Sequence, residues 1–209
     1  MGTDMPSTSP PQVAPGSPLS DLLGIMDRTE DAMLAVPPCN DNTDAYFAAA
    51  VQPHRQGAVE LCDWLIAHGS HPELLSMGSA TLQSTLSLEI KQLLPGLPPC
   101  TRAPAPALAL PHFSSQSSVS LAKVSSDPAT ALRAGMNMDA QAPMTGNPDH
   151  DFAVQMSAHH WALIYMARVA MLHGKDQQLK DLASQLIVSL TWQTGEFRTI
   201  LQNDYSTII

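Results

Sequence analysis

The chain has 209 residues, of which 44% are hydrophobic and 14% charged, with Lys+Arg 10 against Asp+Glu 19 and a formal net charge of −9. That apolar content supplies a core and excludes wholesale disorder, while an acidic chain poor in Lys and Arg offers no footprint for DNA, RNA or an anionic membrane. No apolar run reaches the roughly 18 residues a membrane helix needs, so no span is predicted.

The segment 1–17, from Met1-Gly2-Thr3 to Ser17, is rich in Ser, Pro and Gly and reads as a disordered tail. It shows no basic stretch followed by an apolar one, so an exported protein would have lost its leader before this N-terminus. Residues 18–94 read as a first helical-hairpin unit. A short amphipathic helix over 18–36 carries Leu22, Leu23, Met26, Met33 and Leu34. Asn42-Thr43-Asp44 then opens a helix that Gly69 stops after His68. Pro72 begins the next helix, at a position where a missing N–H costs nothing, and Pro95 ends it.

Residues 95–126 hold six prolines and the run Ser114-Ser115-Gln116-Ser117-Ser118, the composition of an extended, semi-rigid crossover. Residues 127–209 form a second hairpin unit. Asn147-Pro148-Asp149 caps its first helix, which Gly174 ends, and Leu179, Leu182, Leu186, Leu190 and Phe197 mark the apolar stripe of its second.

The two units are related. A shift of 105 residues pairs 42–74 with 147–179 without a gap, and eight of 33 positions are identical, including Asn42/Asn147, Asp44/Asp149, His54/His159 and Gly69/Gly174. Composition alone would give about two. A hairpin of about 50 residues cannot bury its apolar face alone, so the copies should pack on each other. The expected fold is all-α: a four-helix bundle made from two duplicated hairpins, plus the short N-terminal helix and the long Pro-rich crossover.

Three cysteines bear on the compartment. Cys62 lies in an apolar helical stretch, where a thiol is packing, whereas Cys39 and Cys100 each follow a Pro-Pro pair at the ends of the first unit. A Cys39–Cys100 disulfide would staple that unit, worth about 4 kcal/mol by loop entropy, and would place the protein in an oxidising compartment. Two free thiols are the alternative.

Soft donors concentrate in the second unit: Met136, Met138 and Met144, then Met156, His159, His160 and Met166. Helical spacing places Met156, His159 or His160, and Met166 along one face, with the three upstream methionines able to fold back on its first half. Thioethers are soft and uncharged, so Mg²⁺ and Ca²⁺ gain little from them. Met with His suits Cu(I), and Ag(I) similarly, while imidazole also suits Cu(II). Methionines at helical spacing also serve as ordinary core filler, or could line an adaptable groove for a partner helix in a module that binds no metal. His68, His71 and His173 sit at helix ends, where a dipole role suffices. No Glu-x-x-His, His-Glu-x-x-His, Gly-x-Ser-x-Gly, P-loop or Gly-x-Gly-x-x-Gly occurs, so no enzymatic activity is expected.

The pattern Met144-Thr145-Gly146-Asn147-x-Asp149-x-Asp151-Phe152-x-x-x-Met156-x-x-His159-His160-x-x-x-x-x-Met166-Ala167 resembles a bacterial ferritin-like helical family, long catalogued as a domain of unknown function, that includes the periplasmic copper-binding protein CopM. Gln193-x-x-Glu196 fits a further family feature. The resemblance implies an exported ferritin-like four-helix protein that binds Cu(I), Cu(II) or Ag(I) and serves copper sequestration, trafficking or resistance in the periplasm, handing ions on to a copper-handling protein. It implies Met156, His159, His160 and Met166 as ligands, with Met136, Met138 and Met144 as an upstream cluster. In the first unit Val51, Arg55 and Leu61 replace Met156, His160 and Met166, and only His54 persists.

Overall fold

The computed structural model describes residues 13–36, 42–84 and 143–209. Within them the chain forms five helices and no strand: α1 Pro18–Leu34, α2 Thr43–His68, α3 Pro72–Leu82, α4 Pro148–His173 and α5 Gln177–Tyr205. Residues 1–12, Cys39, Cys100, the Pro-rich crossover, Met136 and Met138 lie outside the described residues, and with them the tail, the disulfide and two of the anticipated donors.

Most helix starts follow from local side chains. Ser17, Asn42, Asn147 and Asp176 each accept a hydrogen bond from a backbone N–H in the first turn of α1, α2, α4 and α5, satisfying donors that no helical carbonyl can reach. The start of α3 differs, because His71 makes no side-chain cap. Asp149, at the start of α4, instead holds the turn that leads into α3, accepting from Ser70 N, Ser70 Oγ and His71 N at 2.9–3.1 Å.

The opposite end of the α2–α4 pair repeats this contact in reverse. Asp44, at the start of α2, accepts from Lys175 N and Asp176 N at 2.8 and 3.1 Å, just after α4 ends. These are the residues that the 105-residue shift equates with Asp149, Ser70 and His71. Gly69 and Gly174 make the contacts feasible, since a Cβ at either would run into the facing carboxylate.

Two expectations change. The helix beginning at Pro72 was expected to continue to Pro95, but α3 ends at Leu82. Residues 85–94 lie outside the described residues. The Arg55 guanidinium donates to the carbonyls of Thr81 and Ser84, and the Ser79 and Thr81 hydroxyls bond back to Leu75 O and Met77 O. The Thr81 and Ser84 carbonyls, which a longer helix would offer to N–H groups four residues on, are thus taken by Arg55. The N-terminal helix, expected as an appendage, is a full member of the bundle: α1 packs on both α2 and α4 and buries Leu22 completely. It comes close at Gly57, where any Cβ would overlap Thr29.

The centre of the bundle is α4, which packs against α5, α2 and α1. Its apolar side chains divide between two large clusters, with Tyr165 and Val169 in a small third one beside Trp161. One joins Met33, Tyr46, Phe47 and Val51 to Leu163, Met166, Leu186 and Leu190. The other joins Leu22, Ile25, Leu61, Leu65 and Leu74 to Phe152, Met156, Phe197 and Leu201.

Candidate functional site: a polar layer across the bundle

Between the two apolar clusters every long helix carries buried polar groups. Along α1, Thr29 separates Ile25 from Met33, and along α5, Thr194 separates Leu190 from Phe197. On α2 the interruption is His54-Arg55, and on α4 it is Ser157, His159 and His160. An apolar core broken at one level in four helices is not what burial alone selects, because each buried polar group costs free energy unless it finds a partner.

His54 and His159 resolve that cost between themselves. Their rings stack with centroids 3.6 Å apart. His54 Nε2–H donates to the carbonyl of His159 at 2.9 Å, and His159 Nε2–H donates to the carbonyl of His54 at 3.0 Å. A carbonyl only accepts, so both rings carry their proton on Nε2 and keep the lone pair on Nδ1. Burial pushes the His54 imidazole down to about 4 and holds His159 well below the usual histidine range, the latter helped by its two histidine neighbours. The pair is neutral at pH 7.

His160 is different. Burial lowers it to about 3, so it too is neutral, but its Nδ1 has no hydrogen-bond partner. Its ring lies over Phe197 of α5 at 5.5 Å and 6.5 Å from His159. Two further buried groups of this layer lack partners, Ser157 Oγ and Gln52 Nε2. Ser157 lies one turn before His160 on the same side of α4, as does Met156.

The anticipated donors therefore separate. Met156 and His160 lie toward α5 and the second cluster, with Met156 1% exposed. Met144 approaches the same half of α4, its sulfur 3.4 Å from Gln155 Nε2. His159 faces α2 and has its Nε2 committed to a backbone carbonyl. Met166 belongs to the other cluster, and a ten-residue separation puts it about 15 Å along the helix from Met156, so one ion cannot take both sulfurs. Met156 and Met166 are each 1% exposed. Sequence reasoning missed the orphaned Ser157 and the aromatic cover from Phe197; a serine within an apolar helix stretch was the available signal.

A second polar cluster marks the start of α4. Burial alone would raise Asp151, but donation from His150 Nδ1, Thr145 and Gly146 outweighs it and holds the carboxyl below its ordinary range. His150 Nε2 meets Thr207 Oγ1 at 3.0 Å, which fastens the end of the chain to the bundle. All of these groups are satisfied, so they read as a latch.

Residues 149–207 match DUF305, a domain of unknown function. The matched segment spans α4 and α5 and includes Met156, His159, His160 and Met166. In structure the chain is similar to CopM in its Cu(I)-bound form, with a TM-score of 0.47 and 19% sequence identity, over 78% of this chain and 97% of that one. No curated protein matches the chain in sequence.

Proposed function

We propose that this protein binds copper as cargo, through thioether and imidazole donors at the polar layer, and that His160 with Met156 forms the nucleus of the site. The observation that carries this reading is His160: a buried, neutral imidazole with an unpartnered Nδ1, one helical turn from a thioether. A soft ion binds a neutral imidazole without displacing a proton, and Ser157 Oγ lies on the same side of α4 to complete a small polar space. Among the described residues no three His, Cys, Asp or Glu side chains cluster as a metal site. A site here therefore relies on sulfur, which favours Cu(I), and Ag(I) with it, over hard ions. His159, through its Nδ1, and Met144 are the further donors of this half, and Met136, Met138 and Met166 are left for a second ion.

The motif's resemblance to an exported copper-binding family supports a periplasmic role in sequestration, delivery or resistance, without catalysis. The same reading takes the bundle as ferritin-like and built from duplicated hairpins. The reciprocal Asp44 and Asp149 contacts and the His54–His159 stack support it, since each falls on a pair of positions 105 residues apart.

Titration with Cu(I) against a competing chelator tests the site. Met156→Leu and His160→Gln are each expected to weaken binding at least about tenfold, the loss of one good donor, while Met166→Leu leaves the tightest site intact. Equal affinity in all three, with unchanged melting curves, would show that the ligands lie elsewhere.

A further inference from the structure

The outer face of α5 carries a second pattern that has no part in the bundle. Asp181, Gln185, Val188, Trp192, Gly195 and Thr199 are all exposed and recur at alternating spacings of four and three, the seam of a two-helix coiled coil. Val188 is 69% and Trp192 61% exposed. Between Asp181 and Glu196 the helix has no charged residue, in a chain whose net charge of −9 otherwise keeps copies apart. Gly195 meets nothing within 4 Å, so the single chain gives no reason for a residue that costs a helix interior about 1 kcal/mol relative to Ala.

We infer that this face pairs with a second copy of itself, antiparallel, about a two-fold axis near residue 190. In that register Val188 of each copy faces Trp192 of the other. Gln185 faces Gly195, so a long side chain enters the gap left by the missing one. Asp181 faces Thr199 beside Arg198, which brings opposite charges together at both ends of the seam. Apolar meets apolar at the centre, large meets small on either side, and acid lies near base at the ends, as a self-complementary isologous contact requires. A membrane surface fits this face poorly, because helices that lie on bilayers line their polar flanks with Lys and Arg. The seam runs only about 27 Å along the helix, at the small end of specific interfaces, so the dimer is weak and concentration-dependent.

Sedimentation of the full chain across a concentration series, read together with tryptophan emission, tests the pairing. The parent should pass from monomer to dimer, with emission shifting to the blue as it does so. Trp192→Glu, an exposed substitution that leaves the fold intact by circular dichroism, should raise the dissociation constant at least about tenfold. Asp181→Arg should weaken association by placing two cations together, and adding Arg198→Asp should restore it. A parent that stays monomeric at the highest attainable concentration overturns the proposal, as does undiminished pairing of Trp192→Glu or a double variant no better than Asp181→Arg. If Trp192's own emission, taken as the difference between the parent and Trp192→Phe, is already blue-shifted in the monomer, another segment of the chain covers this face, which would equally overturn it.

Discussion

The two halves of this protein align residue for residue at the centre of the bundle and differ in what they do there. Where α4 has Met156, His160 and Met166, α2 has Val51, Arg55 and Leu61. Arg55 spends its guanidinium on the end of α3, whereas His160 leaves a ring nitrogen unpaired. Val51 and Leu61 fill the same kind of core that Met156 and Met166 fill, without a donor atom. One half uses the shared position to close a helix, and the other leaves it open to chemistry. The reciprocal Asp44 and Asp149 contacts and the stacked histidines hold the geometry on both sides, freeing the neighbouring position on one of them.

The histidines that join the halves provide the largest perturbation. In the unfolded chain an imidazole protonates near 6.5, whereas buried His54 resists to about 4 and His160 to about 3, with His159 also well below its ordinary value. Below pH 6.5 the unfolded state therefore binds more protons, and stability falls as the pH drops toward the folded values. Each proton that the unfolded chain binds in excess adds a slope of about 1.4 kcal/mol per pH unit, so three buried histidines together lower stability by an amount on the order of that of an ordinary domain. The metal-free protein should unfold cooperatively on acidification between pH 6.5 and 4, monitored by far-ultraviolet circular dichroism. His54→Gln should shift that transition to lower pH. A bundle unchanged down to pH 4 would mean that the layer is open to water.

Asp149 and Asp44 separate the halves by a smaller amount. Asp149 accepts from two backbone N–H groups and a hydroxyl of the turn before α3, using both oxygens, and α3 has no side-chain cap from His71 to share that task. Asp44 accepts two N–H groups through one oxygen, while its other oxygen is buried without a partner, and α5 has its own cap in Asp176. Asp149→Ala should cost about 3 kcal/mol and Asp44→Ala about 2, since fewer donors are orphaned and one unsatisfied acceptor disappears. Urea denaturation of both variants measures the difference. Equal losses would make the two ends equivalent despite their unequal bonding.

Much of this frame is legible in the chain. Asn42, Asn147, Gly69, Gly174 and Pro72 mark helix ends through local chemistry, and those ends fall where expected. The 105-residue shift named pairs that the fold brings into reciprocal positions, because an alignment without gaps keeps matched residues at matched heights along α2 and α4. Contacts of long range were not legible. Nothing near Asp149 says that it holds a turn 79 residues away, and nothing near Arg55 says that it reaches the end of α3. His159 illustrates the same limit within the site: adjacent histidines looked alike in sequence, yet one is bonded to the facing backbone and the other is not.

The smallest effect comes from making the first half resemble the second. Arg55→His removes two hydrogen bonds to the carbonyls of Thr81 and Ser84 and shortens the side chain that reaches them. The last turn of α3 should fray, at a cost of about 1 kcal/mol, because these carbonyls lie near the helix end where water can replace the guanidinium. Hydrogen exchange should report this as faster amide exchange confined to Ser79–Ser84, with the amides of α4 and α5 unchanged. Combined with Val51→Met, the variant carries Met-x-x-His-His in both halves, but the new imidazole would stand beside an α3 end that has lost its anchor. A gain in Cu(I) capacity from that double variant would mean that donor identity alone makes the site. No gain would assign the difference between the halves to what Arg55 holds in place.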